Sequence, residues 1–149
     1  MTVKSSKNLT LSQIGKVNPK AFELLSRKKL NPKLINQILI TSADDVVLCR
    51  LGYYLQEKVR KGDKRALSIL NKLVDAKVNP NELSRYRILE GLVFLANEGH
   101  KGALVGLVKG FEDSNYRHQI AATQALRHLA RDKKNVSAQK ILTERKIAW

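Results

Sequence analysis

The chain of 149 residues carries 28 Lys and Arg against 13 Asp and Glu, a formal charge of +15, and 43% of its residues are apolar. That length and apolar content suit one folded domain and exclude a disordered polycation, while self-repulsion of this size is best tolerated beside a polyanion: nucleic acid, an anionic membrane surface or an acidic protein. Cys49 is the single cysteine, which excludes an intrachain disulfide and a thiolate-rich zinc site and points to a reducing, cytoplasmic compartment.

Residues 1–8 hold lysines with no apolar stretch behind them, so a flexible basic arm is expected there and not a signal peptide. No later run approaches the length of about eighteen apolar residues that a transmembrane helix needs, so membrane insertion is not expected. Short capping helices are expected over 9–42, at 11–16, 19–29 and 32–40. The pairs Asn18-Pro19 and Asn31-Pro32, like Asn79-Pro80 later, join a favoured N-cap to a residue tolerated at the first helical position. Thr10-Leu-Ser-Gln13 and Ser42-Ala-Asp-Asp45 read as capping boxes, and Asn79 has Glu82 three residues on. Within this region Arg27, Lys28, Lys29 and Lys33 form a secondary basic patch, either a dipole-matched helix end or a contact for nucleic acid.

From residue 43 to 149 the apolar residues recur at three and four, as in Val47, Leu48, Leu51, Leu55 and Val59, and nothing alternates as a strand does. The spacing predicts helices over 43–61, 64–76, 80–98, 101–112, 115–132 and 136–147, giving an all-α chain. These helices repeat. One constant shift carries Leu51, Leu55, Gly62, Ala66, Leu67, Leu70 and Val74 onto Ile88, Leu92, Gly99, Ala103, Leu104, Leu107 and Phe111, which preserves two helices and the glycine turn between them. A weaker third copy pairs GLVFLA at 91–96 with ALRHLA at 125–130, and Ser84-x-Tyr86-Arg87 with Ser114-x-Tyr116-Arg117, with about one extra helical turn inside it. A period in the thirties made of paired helices predicts an α-solenoid.

The segment Glu112-Asp113-Ser-Asn-Tyr116-Arg117, followed by Ala121-Ala122 and Ala125-Leu126, resembles a HEAT-type repeat, with an acid in the turn, an arginine soon after and small residues leading to Ala-Leu. Tyr116 stands where that pattern usually has Val, and the turn is about one residue shorter. The resemblance implies a HEAT-like helical-repeat scaffold over 43–149, packed as one domain with the capping helices, and it leaves function open.

The helix expected at 115–132 is apolar along Ala122, Ala125, Leu126 and Leu129. Its far side gathers Arg117, Gln124, Arg127, His128 and Arg131 around Ile120, and Lys133 and Lys134 extend the charge past its end. Such a stripe suits phosphates or carboxylates, and equally suits a solvated face with a dipole-matched C-terminus. The glycines Gly102, Gly106 and Gly110 share one face of the preceding helix, where each costs about 0.5–1 kcal/mol relative to Ala. They are expected to serve close packing, with Ile69 and Leu73 against the bare backbone; a ligand flanked by Lys101 and Lys109 is the alternative.

His100, His118 and His128 show no metal-ligand spacing, so no metal is expected. Cys49, among Val47, Leu48 and Leu51, is expected to be a buried thiol. No phosphate loop, serine nucleophile elbow or convergent carboxylate pair appears, so neither catalysis nor a cofactor is expected. Some HEAT-like proteins are DNA glycosylases that place aromatic residues and an acid beside the lesion, a third and weaker reading here, where the sole tryptophan is Trp149. The leading expectation is a non-catalytic module contacting the nucleic acid backbone, DNA or RNA. The alternative is a scaffold or adaptor for an acidic protein surface within a larger assembly. An aromatic content of 5% disfavours base stacking but permits backbone contact.

Overall fold

Capping side chains set the start of five helices in the computed structural model, which describes residues 32–149. The arm expected at 1–8, the helices expected at 11–16 and 19–29, and Arg27, Lys28 and Lys29 lie outside the described residues. Among the described residues the chain forms seven helices and no strand: α1 (Pro32–Thr41), α2 (Asp45–Arg60), α3 (Lys64–Leu73), α4 (Glu82–Asn97), α5 (Ala103–Phe111), α6 (Tyr116–Arg131) and α7 (Val136–Glu144). No helix among them is long and apolar enough to cross a membrane.

Asp44 caps α2 by accepting the N–H groups of Val46 and Val47 at 2.9 and 3.3 Å, and Asp63, Asn81, Asn115 and Asn135 cap α3, α4, α6 and α7 in the same way. Two caps differ from the expected ones. Ser42 gives way to Asp44 and accepts the Asp44 N–H itself. Asn79 is wholly buried, donating to the Leu73 carbonyl at 2.9 Å and the Ser84 hydroxyl at 3.1 Å, so Pro80 lies outside the helix and Asn81 becomes the cap. Past the C-termini of α2 and α4, Gly62 and Gly99 adopt φ of +93° and +96°, a left-handed conformation that glycine takes without strain.

The helices form two layers. Helices α2, α4 and α6 lie side by side, α1, α3 and α5 lie side by side beneath them, and α7 closes against α6. The core fills the space between, with Leu48, Leu51 and Leu55 of α2, Leu70 and Leu73 of α3, Ile88, Leu92 and Leu95 of α4, Leu107 of α5, Leu126 and Leu129 of α6 and Leu142 of α7 in one cluster. Each such side chain contributes about 1.5–3 kcal/mol of transfer free energy.

Arg87 meets Asp45 at 2.8 Å at the N-terminal ends of α4 and α2, and Arg60 meets Glu98 at 2.7 Å at their C-terminal ends, so these two helices run parallel. Arg85 near the start of α4 reaches Asp113 just before α6, while Asn97 and His128 share a groove wall near the two helix ends, so α6 runs parallel as well. The α2–α3, α4–α5 and α6–α7 turns therefore follow one edge of the molecule, and the other connections follow the opposite edge.

Aligning the caps Asn81 and Asn115 places Ile88, Leu92 and Leu95 of α4 over Ala122, Leu126 and Leu129 of α6, and Tyr86 over Ile120. The pairing of Ser84-x-Tyr86-Arg87 with Ser114-x-Tyr116-Arg117 is thus displaced by a turn. The expected extra turn is absent, because α4 and α6 are both 16 residues long.

Candidate functional site

The basic stripe of α6 is divided by its neighbours. Arg117, at the start of the helix, lies 4.7 Å above the Tyr86 ring, a cation–π contact. Arg127 and Arg131 donate their Nε–H groups to the Ala148 and Trp149 carbonyls at 2.9 and 2.8 Å, which ties the last residues along α6. His128 Nδ1 lies 2.7 Å from Asp132, and Gln124 is exposed between two shallow grooves. Lys133 and Lys134 stand exposed in the α6–α7 turn, where Lys134 takes φ of 50°. The tertiary structure therefore separates Arg117, at one edge, from Lys133 and Lys134 at the other. Lys33 is exposed on α1.

The edge that holds Lys133 and Lys134 also holds Lys61 and Lys64 from the α2–α3 turn and Lys101 from the α4–α5 turn, all exposed. Among the described residues none of these five lysines forms an ion pair. The acids nearby are engaged elsewhere: Glu57 and Glu98 by Arg60, Asp63 by Arg65 and Asp132 by His128. The opposite edge carries Asp44, Asp45, Asp75, Glu82, Glu112 and Asp113 in its turns and caps. Exposed lysines occur at that edge too, at Lys72, Lys77 and Lys146, so what distinguishes the first edge is that its acids are all taken up by Arg60, Arg65 and His128. Sequence reasoning missed Lys61 and Lys64, and placed Lys101 only beside a ligand on the glycine stripe. The available signal was their closeness to the turn glycines Gly62 and Gly99, which the internal correspondence had already matched.

The glycine stripe of α5 is covered. A Cβ on Gly102 would meet Leu67 at 2.7 Å, one on Gly110 would meet Leu89 at 2.6 Å, and one on Gly106 would collide with Leu92 and with Asn71. The packing partners are Leu67 and Asn71 of α3 and Leu89 and Leu92 of α4. Ile69 and Leu73 point into the core instead, because α5 crosses both neighbours and not α3 alone. Gly106 and Gly110 are buried, which leaves no ligand space between Lys101 and Lys109. Lys109 faces Asp75 at 3.5 Å.

Cys49 is exposed, contrary to its expected burial. The core covers the Leu48, Leu51 and Leu55 side of α2, and Cys49 falls on the open side beside Gly52 and Tyr53. Partial burial, opposed by Arg87 and assisted by Asp45, pushes its pKa up, so the thiol is protonated at neutral pH. The same open face carries Phe94, 58% exposed, and Tyr53, 56% exposed, along shallow grooves between α2 and α4 and between α4 and α6.

Beneath the acidic edge lies a buried polar cluster that the sequence had not revealed. Arg85 and Asp113, with side chains 7% and 1% exposed, pair at 2.9 Å, and Arg85 also donates to the Asn79 carbonyl at 3.0 Å. Burial works to raise the Asp113 carboxyl, but the Arg85 guanidinium and the Asn115 N–H outweigh it and hold it below the usual carboxylate range. His118 is 2% exposed, stacks edge-on against Tyr86, and makes no hydrogen bond of good geometry through either ring nitrogen. Desolvation lowers its pKa, with Asp113 pulling the other way.

No family model, no curated protein and no solved structure matches this chain.

Proposed function

We propose that the chain is a non-catalytic HEAT-like helical-repeat module that holds the phosphate backbone of nucleic acid along its basic turn edge. The observation that carries this reading is the alignment of Lys61, Lys64, Lys101, Lys133 and Lys134 along one edge, unpaired among the described residues, with the acids of that edge engaged by Arg60, Arg65 and His128. Three successive hairpins, each a 16-residue helix followed by one of nine or ten residues and stacked in two layers, support the repeat assignment. Lysines engage phosphate as point charges and release condensed counterions, which gives affinity without sequence preference.

The test is fluorescence anisotropy with unrelated nucleic acids over a range of salt. Wild type is expected to bind with a log affinity that falls linearly with log salt. Lys133→Gln/Lys134→Gln should lower that slope by about one per lysine, similarly for every sequence. Absence of binding at low salt would overturn the reading.

A second reading, a scaffold for a protein partner, is favoured by the exposed Phe94 and Tyr53 on the open face of α2 and α4. Loss of binding to a partner on Phe94→Ala, with nucleic acid affinity unchanged, would support it.

A further inference from the structure

The turn edge is a line of charges with a fixed length, and its one ring is the half-buried imidazole of His100. Arg60–Glu98 links the first turn to the second, and the wall shared by Asn97 and His128 links the second to the third, so the turns succeed one another as the helices do. Packed helices stand about 8–10 Å apart, which makes the edge roughly 20 Å long. Its segments, residues 60–65, 98–102 and 131–135, contain no Phe, Tyr or Trp. The exposed rings lie outside these segments: Tyr53 and Phe94 on the open helical face, Tyr116 at the opposite edge, and Trp149, 43% exposed, whose carbonyl meets Arg131 while its indole N–H turns to Thr143 of α7.

From this geometry we infer that the edge takes a double-stranded nucleic acid, held across its backbone, and discriminates against single strands. The inference rests on the proposed backbone-binding function and names its substrate class.

Two physical arguments carry it. A duplex presents one charge per about 1.7 Å of axis, so an edge of roughly 20 Å faces on the order of a dozen phosphates, whereas one strand offers about half as many. A single strand must also lose conformational freedom to follow a rigid edge. Proteins that bind single strands offset that loss by stacking successive bases on aromatic side chains, worth about 1–3 kcal/mol per base, and the three turn segments carry no Phe, Tyr or Trp and only the half-buried His100 ring. A duplex arrives with its backbone already ordered, and a set of lysines fixed at the ends of packed hairpins matches it without further ordering of the protein main chain.

The experiment compares short mixed-sequence DNA and RNA duplexes with an oligothymidylate of the same length, using the full chain, anisotropy at several salt concentrations, and Lys61→Gln/Lys101→Gln/Lys133→Gln beside wild type. These lysines are exposed and unpaired, and a thermal melt confirms that the variant folds. Both duplexes are expected to bind about tenfold or more tightly than oligothymidylate, with a steeper salt slope, and the triple variant should lower the duplex slope by about three. Equal or tighter binding of oligothymidylate overturns the duplex inference while the nucleic acid reading stands. A full slope in the triple variant overturns the assignment to this edge. Polyglutamate competing as well as duplex at equal charge overturns the inference in favour of an acidic protein partner. Failure of every nucleic acid to bind at low salt overturns the proposed function, and the inference with it.

Discussion

Removing one partner of the Arg85–Asp113 pair would strand the other charge in the space between α4 and α6, which is largely closed to water. Arg85→Ala is therefore expected to cost about 3–5 kcal/mol in chemical denaturation, whereas Arg85→Met/Asp113→Asn, which keeps an acceptor for the Asn115 N–H, should lie much closer to wild type. His118 sits in the same cluster, facing Asp113, Arg85 and Glu82, and its folded pKa lies below the ordinary 6.5. The unfolded chain thus binds the proton more readily, so stability is full above about pH 6.5 and declines as pH falls from there through the folded value. Asp113 has the depressed carboxyl of a paired acid, so its contribution is present above 3.8 and is lost as pH drops further, through its folded pKa. Urea midpoints measured across this range should show two acid steps, and His118→Gln should flatten the upper one while leaving the lower in place.

Helix α5 depends on what it lacks. Its glycines let Leu89 and Leu92 of α4 and Leu67 of α3 approach the backbone, so Gly106→Leu is expected to destabilise by about 1–3 kcal/mol or more through overpacking. Thermal melts of that variant read the cost, and polyanion affinity measured at a temperature where it stays folded should be unchanged, since the stripe faces neighbouring helices. Helix α6 makes the opposite case, because its arginines look accessible along the sequence yet two of them anchor the chain's last residues. Arg127→Gln/Arg131→Gln should accordingly reduce the salt slope of nucleic acid binding less than Lys133→Gln/Lys134→Gln does. Equal losses in the two double variants would show that the α6 stripe contacts phosphate directly.

Across the whole molecule, one continuous core joins α1 to α7, so damage at either end of the array is felt throughout. Leu95→Ala and Leu126→Ala, each removing a fully buried side chain, are expected to cost about 2–5 kcal/mol apiece and to lower the melting temperature of the entire unit. Unaltered melts would contradict the packing register of α4 and α6. The unpaired lysines of the turn edge also predict that salt weakens binding far more than it changes stability, because they have no folded-state ion pairs to lose.

The sequence by itself determined the helical class, because apolar spacing of three and four, capping residues and the glycines Gly62 and Gly99 are local properties of the chain. It also determined which faces of α4 and α6 are buried, since Leu92, Leu95, Leu126 and Leu129 follow one periodicity. Only the tertiary structure decided the rest. Whether Asn81 reaches the Ser42 carbonyl after α1, whether Cys49 meets core or solvent, and whether Arg85 finds Asp113 all depend on which helix lies alongside, a relation between residues far apart in the chain. The candidate site belongs to the same category: Lys133 and Lys134 were legible as basic residues past a helix end, but Lys61, Lys64 and Lys101 join them only because α2, α4 and α6 pack in parallel and bring three distant turns to one edge.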